Sequence, residues 1–419
     1  MYRMILTSTA LVAVTNIAMA ADKADVLDTY ANIAFAKYED SLTTAQALQA
    51  AVDALIANPS DDTLAAARQA WLDARVPYQQ TEVFRFGNAI VDDWEGLVNA
   101  WPLDEGLIDY VDASYGGATD ENEFAALNVI ANASVTVAGL DVDASQITPA
   151  LIADTLNEAD GVETNVARGY HAIEFLLWGQ DLNGTNPGAG DRPYTDYVVG
   201  DGCTNGNCDR RADYLSSATE LLVQDLAWIA DQWSENGLAR NELTADVDAG
   251  IVAILTGMGS LSYGEQAGER MRLGLMLNDP EEEHDCFSDN THNSHYYDGK
   301  GVQNVYLGAY ERIDGTVVSG PSLSDLVADQ NPELDAEMTN KLETTMLALS
   351  DIVAAAENGF AYDQMLERGN ERGEALIMAG VNGLIDQTRT IERIVTALDL
   401  DQIAFEGSDS LDNPSAVFQ

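Results

Sequence analysis

Apolar residues recur at helical spacing through most of this chain, and no segment sustains the period-two alternation of a half-buried strand. That pattern predicts an all-α fold, with helices over 25–58, 63–86, 121–133, 149–158, 163–178, 208–236, 243–277, 332–358 and 363–399. Pro59-Ser60-Asp61-Asp62 should end the first helix and cap the second, which Pro77 is expected to kink. Segments rich in Gly, Asn, Asp and Pro at 87–120, 179–206 and 279–320 read as loops, the first two with short helical turns. Loops this long inside a compact protein are more often functional than idle. A length of 419 residues suggests two domains, and long helices suit bundles.

With 20 Lys+Arg against 70 Asp+Glu, the formal charge of -50 argues against nucleic acid and anionic membranes as electrostatic partners and favours cations. Residues 1–20 have the form of an export signal: Arg3 in a short basic stretch, an apolar run from Ile5 to Ile17, and Ala18-Met19-Ala20 before the expected cut after Ala20. No later run of about 18 or more apolar residues suggests a membrane span. A periplasmic, mature protein is the expectation. Cys203-Thr-Asn-Gly-Asn-Cys208 fits an oxidising compartment, because its Gly/Asn-rich interior lets a small disulfide ring close, leaving Cys286 as a single thiol.

The residues with the most chemical content lie in Gly169-Tyr-His171-Ala-Ile-Glu174-Phe-Leu-Leu-Trp178, a strongly apolar stretch of an acidic chain. On a helix, positions i and i+3 are neighbours, so His171 and Glu174 can aim an imidazole and a carboxylate at one point. Val166, Tyr170, Ile173 and Leu177 make the apolar stripe, and Glu174 falls about 40° from Tyr170, which marks it as buried or half-buried. A buried acid needs a partner: His171, an arginine from another helix, or a cation. Spacing alone leaves open a His–Glu hydrogen bond that merely pins two helices. If the pair binds a metal, ligation should weaken as pH falls through the usual histidine range near 6.5.

Gly169-x-His171-x-x-Glu174 resembles the signature of the imelysin family. The similarity extends through Trp71-x3-Arg75-x2-Tyr78-x3-Glu82-Val-Phe-Arg85, Trp101-Pro102-Leu103-Asp104, and Gly257-x-Gly259 to Glu265, and is strongest to the iron-regulated branch. The resemblance implies two packed four-helix-type bundles, 21–180 and 181–419, with the site between them. It also implies iron as the bound metal, with zinc as the alternative, and an iron-transport membrane partner. Glu82 is then the third ligand, Asp104 a weaker fourth, and Arg85 and Glu265 stand behind them. The imelysin family also carries a peptidase label, and His284, 110 residues beyond Glu174 (284 − 174), could complete a His₂Glu zinc site. Common hydrolase and nucleotide motifs are missing. A structural or partner-binding bundle is the third reading.

Trp71, Arg75, Tyr78, Glu82 and Arg85 share one helical line, a polar and aromatic stripe where a core stripe is expected. Gly257, Gly264 and Gly268 thin the helix that carries Glu265, which implies close approach by a neighbour. His284, His292 and His295 cluster among acids and suggest a second cation site, or an ordered loop with hydrogen-bonded imidazoles. Asp181-Leu-Asn183-Gly184 has some calcium-loop character but lacks the register and the closing Glu.

Overall fold

A computed structural model describes residues 21–119 and 122–418. The expected export signal at 1–20 lies outside them. Helices hold 64% of the chain against 4% in strands, so the fold is all-α. The long helices used below are α1 (Lys23–Ala57), α2 (Asp61–Gln79), α3 (Ala89–Asn99), α4 (Gly169–Trp178), α5 (Cys208–Trp233), α6 (Val247–Ser260), α7 (Thr291–Leu307), α8 (Pro332–Glu357) and α9 (Glu371–Ala397).

Local chemistry sets the breaks between them. Asp22 caps α1, and Ser60 with Thr63 forms a reciprocal capping box that starts α2. Inside α2 the Pro77 ring lacks an N–H, and the helix ends at Gln79, where the Thr81 hydroxyl donates to the Tyr78 carbonyl at 2.6 Å. The stripe from Trp71 to Arg85 is therefore not one continuous face: Glu82 falls in a separate 3₁₀ turn, Glu82–Phe84.

Asp246 caps α6 and interrupts the helix expected over 243–277. Its continuation, Leu261–Arg272, is wound as π-helix. Two other expectations are corrected. Residues 122–133 form turns rather than a helix, with Asn128 at φ 45°, and lead into a hairpin of β1 (Ser134–Val137) and β2 (Leu140–Asp143). The expected loop 279–320 contains α7 and a second hairpin, β3 (Ala309–Glu311) with β4 (Val317–Ser319). The polar, Gly-rich sequence of α7 hid it, since ten of its residues are nevertheless buried.

Packing makes two rings of four helices. In the first, α1 lies between α2 and α5, and α4 closes the ring against both. In the second, α8 packs on α9 and α7, and the π-helical stretch closes it. Thus α5, beyond the expected boundary near residue 180, packs with α1 and α4. Contacts of α2 with α7 and of α6 with α1 and α9 join the rings. Gly257 lets the α6 backbone approach Val83, whose carbonyl oxygen would lie 2.2 Å from an added Cβ. Gly264 is similarly crowded by the Glu406 carbonyl, which would lie 2.5 Å from a Cβ there.

Val247–Leu277 is long and apolar enough to cross a membrane, but 61% of its apolar window is buried inside the fold, as in a core helix. Cys203 and Cys208 form a disulfide, and Cys286 is a buried free thiol.

Candidate metal centre

All ten residues of α4 are buried, and neighbouring segments grip both of its ends. Gly169, its first residue, has φ 84°, and a Cβ there would lie 2.5 Å from the Val98 carbonyl oxygen at the end of α3. The glycine of the sequence motif is thus a docking requirement two residues before His171. The Trp71 indole donates to the Tyr170 carbonyl at 3.0 Å, and Arg68 donates to the Leu177 carbonyl at 3.1 Å. Gly169→Ala should therefore destabilise the fold by about 2 kcal/mol or more, from the left-handed backbone and the collision with α3. Denaturant unfolding measures this, and an unchanged midpoint would show that α4 can slide away freely.

His171 and Glu174 meet as their spacing predicts, His171 Nδ1 to Glu174 Oε2 at 3.1 Å. The other oxygen, Oε1, accepts from the Ser288 backbone N–H at 2.9 Å and from its hydroxyl at 2.6 Å. Both oxygens of Glu174 are therefore engaged, and it orients His171. With Nδ1 assigned as the donor, Nε2 of His171 is left buried without a partner. Burial first, then the Arg75 charge, lowers the His171 pKa to about 3, so the ring is neutral at any ordinary pH. Burial, then Asp285, raises the Glu174 carboxyl well above the usual range.

The segment before α7 supplies the rest. The His284 ring stands edge-on to His171, with centroids 4.9 Å apart, and Asp285 lies beside both. One donor atom from each of His171, His284 and Asp285 lies within 4.8 Å of the other two. Asp285 is held by Arg75 at 2.7 Å, by Asn290 at 2.8 Å and by the Ser294 hydroxyl. Burial alone would raise its pKa, yet Arg75 keeps it below the ordinary value and charged. Arg75 in turn donates to Asn99 at 2.6 Å and lies over the Tyr170 ring at 5.0 Å. Burial, then Arg270, pushes the His284 pKa down, so this ring too is neutral. His284 borders a cleft of about 590 Å³ whose walls include Arg85, Glu95, Glu265 and Arg270.

Several expected site residues go elsewhere. Glu82 does not join the histidines: its carboxylate takes a 2.6 Å ion pair from Arg270, which also binds Glu265 at 2.8 Å and Asp298 at 3.1 Å. Asp104 uses its oxygens on the Tyr115 hydroxyl at 3.0 Å, the Thr164 hydroxyl at 2.7 Å and Asn122. Arg85 and Glu265 face each other across 3.7 Å and line the cleft. The histidine trio is not one site either. His284 turns to His171, His292 pairs with Asn293 at 3.1 Å, and His295 packs on Tyr362 in the second bundle with centroids 5.2 Å apart. Asp285, Ser288 and the buried Arg75 are the residues that sequence patterns undervalued. The available clue was an acid directly after a histidine in a segment without helical periodicity.

The imelysin family profile, peptidase family M75, matches residues 34–391. The chain belongs to the imelysin family. The match includes every segment that builds the centre, from Arg75 through His171 to His284 and Asp285. This imelysin is 24% identical over 346 residues to Iron-regulated protein A of Synechococcus elongatus, covering 81% of this chain and 76% of that protein. Its fold is similar to the crystal structure of an iron-regulated protein A precursor from Parabacteroides distasonis. The TM-score is 0.64 at 20% identity, over 92% of this chain and 97% of that one.

Proposed function

We propose that this imelysin binds a transition-metal ion, iron in the first instance, through His171, His284 and Asp285, and serves iron acquisition outside the cytoplasm. The single observation that carries the reading is the orphaned Nε2 of His171, buried in a donor set of two neutral imidazoles and one charged carboxylate. That set suits non-haem Fe(II), and a His bonded through its other nitrogen to a carboxylate is the usual support of a metal-ligating imidazole. The iron in the name of the Synechococcus relative supports the choice of metal. The Cys203–Cys208 disulfide supports an oxidising compartment, and with it export through residues 1–20 and delivery to a membrane iron-transport partner.

A zinc peptidase draws on the same two-histidine, one-acid geometry with an open position for water. Against it, both Glu174 oxygens are already engaged, which leaves no free base of that residue. Titrating Fe(II), Fe(III) and Zn(II) into wild type and His171→Ala, alongside a casein digest, tests both readings. Tight binding by wild type, lost in His171→Ala without loss of the fold and without digestion, is the expected result. Equal affinities would overturn the metal reading, and chelator-sensitive digestion by wild type alone would replace it with the peptidase.

A further inference from the structure

We propose that a second centre, separate from the histidine site, binds a hard divalent cation of the calcium class through Asp181, Glu283, Asp289 and Asp363. Asp181 lies in the loop after α4, Glu283 and Asp289 in the segment before α7, and Asp363 on the short helix Tyr362–Leu366. One oxygen from each of Asp181, Asp289 and Asp363 lies within 4.8 Å of the other two.

The acids are not merely close. Glu283 is 1% exposed and neither of its oxygens makes a well-formed hydrogen bond, its polar neighbours being the Thr291 hydroxyl and the Asp363 carboxyl, while Asp363, also 1% exposed, has Oδ2 unpartnered. The Glu283 carboxyl faces Asp363 and Asp289. Asp289 is anchored through Oδ2, which accepts from the Gly188 N–H at 3.0 Å, and its Oδ1 is left without a partner. Asp181 is held through Oδ1 by the Asn183 N–H at 2.8 Å. Among the described residues, no Lys, Arg or His forms an ion pair with any of the four. Buried acids without a cationic side chain hold either shared protons or a metal ion. Burial pushes Asp363 up to about 8 and Asp181 to about 6, with the Asp289 carboxylate adding to both against the polar contacts that Glu283 and Asn183 supply, so the bare cluster disfavours full ionisation.

The donors are all carboxylate oxygens, with no nitrogen or sulfur among them, which selects Ca²⁺, Mg²⁺ or Mn²⁺ over softer metals. Four carboxylates that can bind through one or both oxygens suit the six to eight ligands of Ca²⁺ better than a rigid octahedron. Asp181 also borders a cavity of about 400 Å³ shared with Glu105, Glu281 and Cys286, a route for the ion and for waters completing its shell.

The test uses the mature chain stripped with EDTA and titrated with CaCl₂, MgCl₂ or ZnCl₂ in 0.15 M NaCl, read by calorimetry and by thermal melting. Wild type should bind one Ca²⁺ and melt higher with it, and His171→Ala should keep that response. Asp363→Asn should lose calcium affinity by about tenfold or more. Without calcium it should melt no lower than wild type, since an unpaired buried acid is gone. Asp181→Asn, at the rim, provides the same reading if the first variant does not fold. No calcium response in wild type would overturn the proposal in favour of shared protons. Unchanged affinity in both variants would assign the ion to the acidic surface, and a preference for zinc over calcium in His171→Ala, where the histidine site is disabled, would refute the calcium class.

Discussion

Arg75→Ala is expected to lower unfolding free energy by about 3–5 kcal/mol, because it removes one partner of a fully buried ion pair. The guanidinium is 2% exposed, holds Asp285 at 2.7 Å and Asn99 at 2.6 Å, and lies on the Tyr170 ring. Without it Asp285 stays buried beside Glu174, two acids with no arginine between them. Lysine should not restore the loss, since a point charge cannot serve Asn99 and Asp285 at once as the planar fork does. Urea denaturation of wild type, Arg75→Ala and Arg75→Lys measures this. A loss below about 1 kcal/mol in the alanine variant would mean that water or a neighbour takes over the Arg75 role.

Glu174→Gln and His284→Ala should separate an orienting residue from a ligand. If Glu174 positions His171, the glutamine variant should lose about 10–100-fold in metal affinity, and His284→Ala should lose more. The pH profile gives a second reading. His171 stays neutral down to about pH 3, so wild-type affinity should not fall at the ordinary histidine pKa. Metal on Nε2 requires the Nδ1 proton to face an ionised Glu174, whose carboxyl burial raises. Affinity should therefore increase with pH until that carboxyl has lost its proton, and Glu174→Gln should abolish this slope. Isothermal titrations from pH 5 to 8 measure both effects. A wild-type midpoint near 6.5 that persists in the glutamine variant would return the titration to a histidine.

The helices α1, α2, α4, α5, α6, α8 and α9 were legible in the sequence, as were the His171–Glu174 contact and the disulfide pair, whereas α3 lay in a segment expected to be loop with short helical turns. Where sequence and structure part, a tertiary contact decides. Glu82 shares a helical line with Arg75 on paper, but the chain leaves the helix at Gln79, and Arg270, 188 residues later, claims the carboxylate. The pattern of α7 was illegible because its buried face is mostly Gly, Ser, Thr, Asn, His and Asp, with apolar residues only at Val302, Val305 and Tyr306 near its end, and the burial of the polar ones depends on partners from α2 and α8. His284 and Asp285 carry only a weak local signal, a histidine followed directly by an acid in an acidic segment. Their role arises only when the segment before α7 folds back onto α4, a contact that no short window of sequence contains.

That fold-back has a thermodynamic consequence. An ion shared by His171 and His284 would tie together residues 113 positions apart (284 − 171), a reversible cross-link closing a loop of about one hundred residues. On the scale of loop-closure entropy such a link is worth roughly 4–5 kcal/mol to the closed state. A captured ion then acts as a removable staple between the first ring of helices and the segment leading into the second. Release of the metal would loosen the seam that the ion had closed.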